Sequence, residues 1–177
     1  MNREDFKKNA EKNIDAIFDS IGKLEAQKND LKESAKVEYD IQIKELKNQQ
    51  EKMKLALSDL QNASEDKWEE AKTLYNKQIE EYKEEYLKFT AIKKEEIQKS
   101  IENLKAKAGV VQSESKEIYE EQIEKLNKQK ENLVSEYNKL KEASDDKWQE
   151  ASEAFNSASA SFGEGFSKIA SVFRKKK

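Results

Sequence analysis

The chain has 177 residues, of which 40% are charged and 35% hydrophobic, a net charge of −3, and no proline, cysteine or histidine. The absence of cysteine and histidine excludes disulfides, the usual zinc sites and histidine-based acid–base catalysis. The composition is typical of long amphipathic helices and unsuited to a compact globule with a thick core. Disorder is the competing class for so charged a chain, but the apolar residues are periodic and the charges alternate in sign, which favours helix.

The N-terminal segment MNREDFKKNAEKNI has no uninterrupted apolar stretch, so it does not have the pattern of a secretory signal. No segment approaches the ~20 apolar residues that a membrane-spanning helix requires. The sequence therefore predicts a soluble, cytoplasmic protein.

From Tyr39 to Tyr119 the apolar residues form a stripe with helical spacing. Its 80 residues are covered in 22 steps of three or four residues, an average of 3.64 residues per step. A heptad repeat has about 3.5 residues per step and an 11-residue repeat about 3.67. The stripe therefore predicts nearly straight or slightly right-handed helices, with polar interruptions at Gln50, Ser64 and Lys93.

An internal repeat is the most informative feature of the sequence. Residues 39–71 align without gaps to residues 119–151, 80 positions later, with 14 identities in 33 positions. The same register pairs Ile21 with Ile101. Repeated helical units usually form scaffolds, because each unit covers the apolar face of its neighbour.

The fold prediction follows from the stripe and the repeat. A single long helix would leave its stripe uncovered, so the chain must fold back on itself or pair with other chains. We predict an all-α fold in which long amphipathic helices form a coiled-coil rod, a hairpin or a small bundle. The predicted segments are a first helical repeat over 1–80, a second over 81–161 and an amphipathic basic tail over 162–177.

A repeated motif, Ala-Ser-acid-Asp-Lys-Trp, is one candidate for the point where the chain turns back. Ser64 and Ser144 could be N-caps of new helices, with the acids that follow them in the favoured first turn. The alternative is an uninterrupted helix, which we slightly favour because neither glycine nor proline precedes either serine. Gly109 is the most plausible other hinge.

The segment LKEASDDKWQEA at 140–151, with its partner around Trp68, resembles small bacterial coiled-coil proteins of the stress response. In that family a Lys/Glu/Ala-rich helix carries an Ala-Ser-acid-Asp-x-Trp signature. The resemblance covers roughly 21–80 and 101–156, and this chain departs from the family in being doubled and in its C-terminal tail. The resemblance implies a helical, non-enzymatic protein connected with stress, and it carries over no catalytic residue.

The aromatic and leucine residues of the repeat are the candidates for contacts between helices. The two tryptophans, each followed seven residues later by an aromatic residue, could line a ligand cleft, but such residues are more often core anchors. The predicted packing anchors are Tyr39, Leu46, Trp68, Tyr75, Tyr119, Leu126, Trp148 and Phe155.

The C-terminal tail differs from the rest of the chain. From Phe162 onward it has five basic residues and one acid, a net charge of +4, which leaves −7 on the body. Its bulky apolar face and basic end suit a helix lying on an anionic membrane. The alternative is that this face docks on the bundle while the lysines cap the helix. The candidate membrane contacts are Phe162, Phe166, Ile169, Phe173, Arg174, Lys175, Lys176 and Lys177.

These patterns together predict a non-enzymatic scaffold that self-associates through its stripe or pairs with another helical protein. Peripheral binding to anionic membrane through the tail is the alternative. No phosphate loop, dinucleotide turn or calcium loop occurs, so we expect no cofactor, metal site or small-molecule substrate. We expect no nucleic-acid partner, since the acidic body lacks the basic stripe that phosphate neutralisation requires.

Overall fold

The computed structural model describes residues 2–30, 33–110 and 113–174, with side chains described at 2–28, 36–110 and 116–165. Over these residues the protein is all-helical, which confirms the predicted all-α class. The elements are α1 (Arg3–Ala26), a 3-10 helix (Gln27–Asp30), α2 (Glu33–Asn62), α3 (Trp68–Ala108), α4 (Ser113–Glu142) and α5 (Trp148–Arg174).

The chain divides into two compact units, Met1–Phe89 and Thr90–Lys177. The division falls within α3, so the first unit contains α1, α2 and the first part of α3. The second unit contains the remainder of α3 together with α4 and α5.

In the first unit α1 and α2 are antiparallel. Near the start of α1, the Lys7 ammonium donates a hydrogen bond of 2.8 Å to the carbonyl of Gln61, at the end of α2. At the other end, the Tyr39 hydroxyl of α2 donates one of 2.9 Å to the carbonyl of Leu24 in α1. Both bonds reach carbonyls in the last turn of a helix, where carbonyl oxygens lack their usual amide donors from the following turn.

Helix α3 contacts both of these helices. Early in α3, the Tyr75 hydroxyl donates a 3.1 Å hydrogen bond to the carbonyl of Ala10, early in α1, so these helices are parallel. Later in α3, the Phe89 ring packs edge-on against Tyr39 at a centroid distance of 4.8 Å, so α2 and α3 are antiparallel. The first unit is therefore an up-down-up arrangement of three helices.

The core of this unit lies where the apolar stripes of its three helices meet. Each large apolar side chain that leaves water there stabilises the fold by ~1.5–3 kcal/mol before the loss of chain entropy is counted. The large buried residues are Ile14, Ile17, Ile21 and Leu24 from α1, Tyr39, Ile43, Leu46, Met53 and Leu60 from α2, and Tyr75, Tyr82, Tyr86 and Phe89 from α3.

In the second unit α4 is antiparallel to both of its neighbours. Tyr137 of α4 packs edge-on against Phe155 of α5 at 6.5 Å. The Lys94 ammonium of α3 lies over the Tyr137 ring, 4.5 Å from the ring centroid. One turn further along α3, the side-chain oxygen of Gln98 accepts a 2.9 Å hydrogen bond from the Lys130 ammonium of α4.

The core of the second unit is likewise formed by apolar residues from three helices. Its large buried residues are Ile97, Ile101 and Leu104 from α3, Tyr119, Ile123, Leu126, Leu133 and Leu140 from α4, and Trp148, Phe155 and Phe162 from α5.

Gly165 of α5 faces the Gln129 side chain of α4. A Cβ atom added at Gly165 would lie 2.6 Å from the Gln129 side-chain oxygen, so a larger residue would require Gln129 to move.

The chain leaves the helix at both repeated serine segments, so our prediction of an uninterrupted helix is wrong. Five residues separate Asn62 from Trp68, and five separate Glu142 from Trp148. In the first segment the Ser64 carbonyl accepts a 3.2 Å hydrogen bond from the amide three residues later, and the corresponding bond in the second is 2.9 Å.

A side-chain hydrogen bond explains why the helix ends there without glycine or proline. The Ser64 hydroxyl donates to the Asp66 carboxylate at 2.5 Å, and Ser144 donates to Asp146 at 2.6 Å. The Asp66 carboxylate also accepts hydrogen bonds from its own backbone amide and from that of Lys67. Local bonds of this kind between a side chain and the backbone compete with the hydrogen bonds of the helix. No residue in the described part of the chain has a positive φ, so the turn does not need glycine's conformational freedom.

Candidate functional site

The predicted packing anchors lie at the centres of the two units. In the first unit Tyr39, Leu46 and Tyr75 are buried, whereas Trp68 is half-buried. In the second unit all four are buried, namely Tyr119, Leu126, Trp148 and Phe155. The structure thus buries seven of the eight and leaves Trp68 partly open to solvent.

Two of these anchors are tyrosines whose hydroxyl groups are fully engaged by the protein. Burial raises the pKa of Tyr39 and of Tyr75 well above the usual value, because each phenolate would be poorly solvated. Both hydroxyls donate to helix carbonyls of α1. They act as packing and hydrogen-bonding groups, and the raised pKa keeps both hydroxyls protonated near neutral pH.

The half-buried tryptophan belongs to a cluster of aromatic and cationic side chains at the start of α1 and α3. The Phe6 ring packs edge-on against Trp68 at 5.9 Å and against Tyr75 at 6.0 Å. The Arg3 guanidinium lies over the indole ring at 4.7 Å, and the Lys72 ammonium lies over Phe6 at 5.5 Å. Each cation–π contact at a partly exposed site contributes ~0.5–1 kcal/mol. This cluster closes one end of the first unit.

Sequence analysis did not include Phe6 among the anchors. The signal was present, because Phe6 precedes Ala10, Ile14, Ile17 and Ile21 at helical spacing. It was missed because the aligned part of the repeat begins only at Ile21.

A cleft of about 400 Å³ lies in the second unit, beside the end of α3 and the start of α4. Its charged lining residues are two lysines, Lys105 and Lys116, and two acids, Glu120 and Glu124. Lys116 and Glu120 are paired with each other at 3.8 Å. With balanced and exposed charges, the cleft selects neither an anion nor a cation.

Two features of the described residues concern metal binding and membrane insertion. Within the described ranges, no group of three or more acidic side chains is arranged to hold a metal ion. Over the same residues, no helix has both the length and the apolar character needed to cross a bilayer.

The C-terminal tail continues α5 as a helix as far as Arg174. Phe162 is buried in the core of the second unit, so this candidate membrane contact packs against protein. The side chains of Phe166, Ile169, Phe173 and Arg174, and the three final lysines Lys175, Lys176 and Lys177, lie outside the described residues.

Comparison of the chain with models of protein families, with curated proteins and with solved structures finds no match, so the family resemblance of the repeat stays a prediction.

Proposed function

We propose that the protein is a non-enzymatic helical scaffold, built from two copies of one three-helix unit, that self-associates. The spacing of the helix ends carries the proposal. The 30-residue helices α2 (Glu33–Asn62) and α4 (Ser113–Glu142) begin and end 80 positions apart. The helices that follow them begin at Trp68 and Trp148, again 80 positions apart. A duplicated unit accounts for both spacings.

Equivalent core positions support the same proposal. Ile21 and Leu24 of α1 are buried, and so are their counterparts 80 positions later, Ile101 and Leu104 of α3. The last part of α3 therefore carries buried residues at the same register as α1. Core burial that recurs at one register is typical of duplicated helical repeats.

The internal packing limits how copies of the chain can associate. Most of the apolar stripe, which we expected to mediate self-association, is buried inside the two units. Contacts between chains must then use outward helix faces. A scaffold of this kind acts through surfaces rather than through a reaction centre, which fits the balanced charges of the cleft in the second unit.

Sedimentation velocity and equilibrium over a range of protein concentrations, combined with circular dichroism, test this proposal. We expect high helicity and an average mass that rises with concentration toward at least a dimer. A strictly monomeric protein at every concentration would refute self-association.

A connection with stress, which rests on the resemblance of the repeat, belongs to the same proposal, as does a cytoplasmic location, which rests on the sequence pattern of the N-terminal segment. We expect the abundance of the protein in its host to rise under stress. Unchanged abundance across osmotic, thermal and envelope stress would remove this part of the proposal.

The second candidate function is peripheral binding to an anionic membrane through the tail. The continuation of α5 to Arg174 favours it, because an interfacial helix needs an unbroken helical segment. We expect the full chain to float with anionic vesicles, to bind less at high salt, and not to float with neutral vesicles. Deletion of residues 163–177 retains the buried Phe162 and should abolish flotation, so equal flotation of the truncated chain would refute the role of the tail.

A further inference from the structure

The outward face of α2 carries a line of exposed apolar side chains. Val37, Ile41 and Leu55 are 65%, 54% and 69% exposed, whereas Leu46 and Met53 on the opposite side of the helix are fully buried. Val37 and Leu55 are separated by 18 residues, which is five helical turns, so they lie on one side of α2 about 27 Å apart. Ile41 lies one turn after Val37 and about 40° around the helix axis.

The corresponding face of the second unit is polar. The residues 80 positions after this apolar line are Glu117, Glu121 and Ser135, and all three are exposed. A single exposed apolar residue is ordinary, but three on one face of one unit, with polar counterparts in the other, are not explained by packing within the unit. An exposed face of this kind is typical of a surface that contacts a partner.

The charges beside the line have a direction along the helix. Exposed acids, Glu38 and Asp40, flank its beginning, and exposed lysines, Lys52 and Lys54, flank its end. Neither Glu38 nor Lys52 forms an ion pair with another described residue. Two such helices in parallel would bring like charges together, whereas two antiparallel helices would bring acids against lysines.

We propose that this face is a contact between two copies of the chain, with their α2 helices antiparallel; this rests on the self-association proposed above. Val37 of one copy packs against Leu55 of the partner subunit. Beside it, Glu38 pairs with Lys52 of the partner subunit, and Asp40 with Lys54 of the partner subunit. The midpoint in sequence of each of these three pairs lies within one residue of position 46. A single twofold axis beside the middle of α2 can therefore relate all three pairs.

Other polar residues limit the strength of this contact. Lys44 and Glu51 lie near the middle of the face and separate its apolar ends. Asp40 already pairs with Lys28 at 2.5 Å, and Lys54 with Glu51 at 2.7 Å, so the new pairs share or replace these. One helix face also offers less than the roughly 800 Å² per partner of a standard interface. We expect a reversible dimer with a dissociation constant on the order of 10 µM or weaker.

Sedimentation equilibrium of the full chain and a triple variant tests the proposal. Val37→Glu, Ile41→Glu and Leu55→Ser introduce the residues that the second unit has at the matching positions. The helix and core should therefore be retained, which circular dichroism checks. We expect the dimer dissociation constant to rise roughly tenfold or more. The matched control is Ile118→Glu, which removes an exposed apolar residue from the second unit and should leave dimerisation unchanged.

A charge exchange tests the antiparallel orientation separately and does not depend on the triple variant folding. Lys52→Glu should weaken the dimer several-fold, and adding Glu38→Lys should restore it, because the pair is then reversed across the interface. Lack of rescue would overturn the antiparallel contact.

The possible results separate this inference from the proposed function. If the full chain associates and the triple variant associates equally well, the α2 interface is wrong and the scaffold stands. A full chain that is monomeric throughout would overturn both. A third result is that the full chain binds anionic vesicles without dimerising, whereas the triple variant does not bind them. This result would identify a lipid surface as the partner of the α2 face and overturn the homodimer.

Discussion

The two tryptophans have the same sequence context but different surroundings, and we expect their replacement to have different costs. Trp148 is 8% exposed, so about 230 Å² of a side chain of roughly 250 Å² is removed from water. At about 25 cal/mol per Å² this corresponds to roughly 6 kcal/mol as an upper bound. Since truncation of large aromatic residues typically costs 3–5 kcal/mol, we expect Trp148→Ala to destabilise the second unit by ~3–5 kcal/mol.

Trp68→Ala should cost less, ~1–3 kcal/mol, because this indole is only partly removed from water. Its contacts with Phe6 and Arg3 account for part of that cost. The difference between the variants, and not either value alone, tests the packing we describe.

The assay uses the fact that each unit contains one tryptophan. In a Trp68→Phe background, fluorescence reports on Trp148 and hence on the second unit, and the reverse background reports on the first. Urea titrations followed by fluorescence and by circular dichroism give the free energy of unfolding for each unit and for the whole chain. We also expect the emission of Trp148 to be blue-shifted relative to that of Trp68. Equal costs, or a larger cost for Trp68→Ala, would refute this account of the two sites.

Three further predictions concern hydrogen bonds and pH. Tyr39→Phe should lower the free energy of unfolding by ~0.5–1.5 kcal/mol, measured by urea titration, because the hydroxyl bond to an α1 carbonyl is lost. Burial raises the pKa of Tyr39, Tyr75 and Tyr82, so their stabilisation is complete below pH 10 and is lost as pH rises further. Phenolate absorbance should then rise together with loss of helix, and ionisation without unfolding would contradict this. The Ser64 hydroxyl lowers the pKa of Asp66. The stabilisation that this hydrogen bond gives the fold is therefore present above about pH 4 and is lost as the pH falls through the lowered pKa. Ser64→Ala should raise the pKa of Asp66, measured by NMR titration.

The helical class could be read from the sequence because it depends on local periodicity. The stripe identified buried positions such as Leu46, Tyr75 and Leu104, since a residue's place on a helix face follows from spacing alone. The same argument failed by one residue in α2, where Ala56 is buried and Leu57 is only half-buried. Contacts with α1 and α3 determine that choice, and spacing within α2 does not contain them.

The helix breaks and the difference between the tryptophans required the structure. Neither glycine nor proline precedes Ser64, and the turn instead contains a serine–aspartate hydrogen bond and has ordinary backbone angles. The surroundings of Trp68 include Arg3 and Phe6 of α1. Those residues are more than 60 positions away in the sequence, so an identical local motif gives no indication of them.

The form of these turns has an evolutionary consequence. Because no residue in the described part of the chain requires a left-handed backbone, these turns place no demand for glycine on the sequence, and residues such as serine and aspartate that weaken a helix locally are compatible with them. No insertion, deletion or glycine is needed at the junction. A long single helix and a folded-back bundle are therefore close neighbours in sequence space. An ancestral rod that paired with other chains could have acquired its own internal partner by a few point mutations, and duplication of that hairpin would yield a chain of this length.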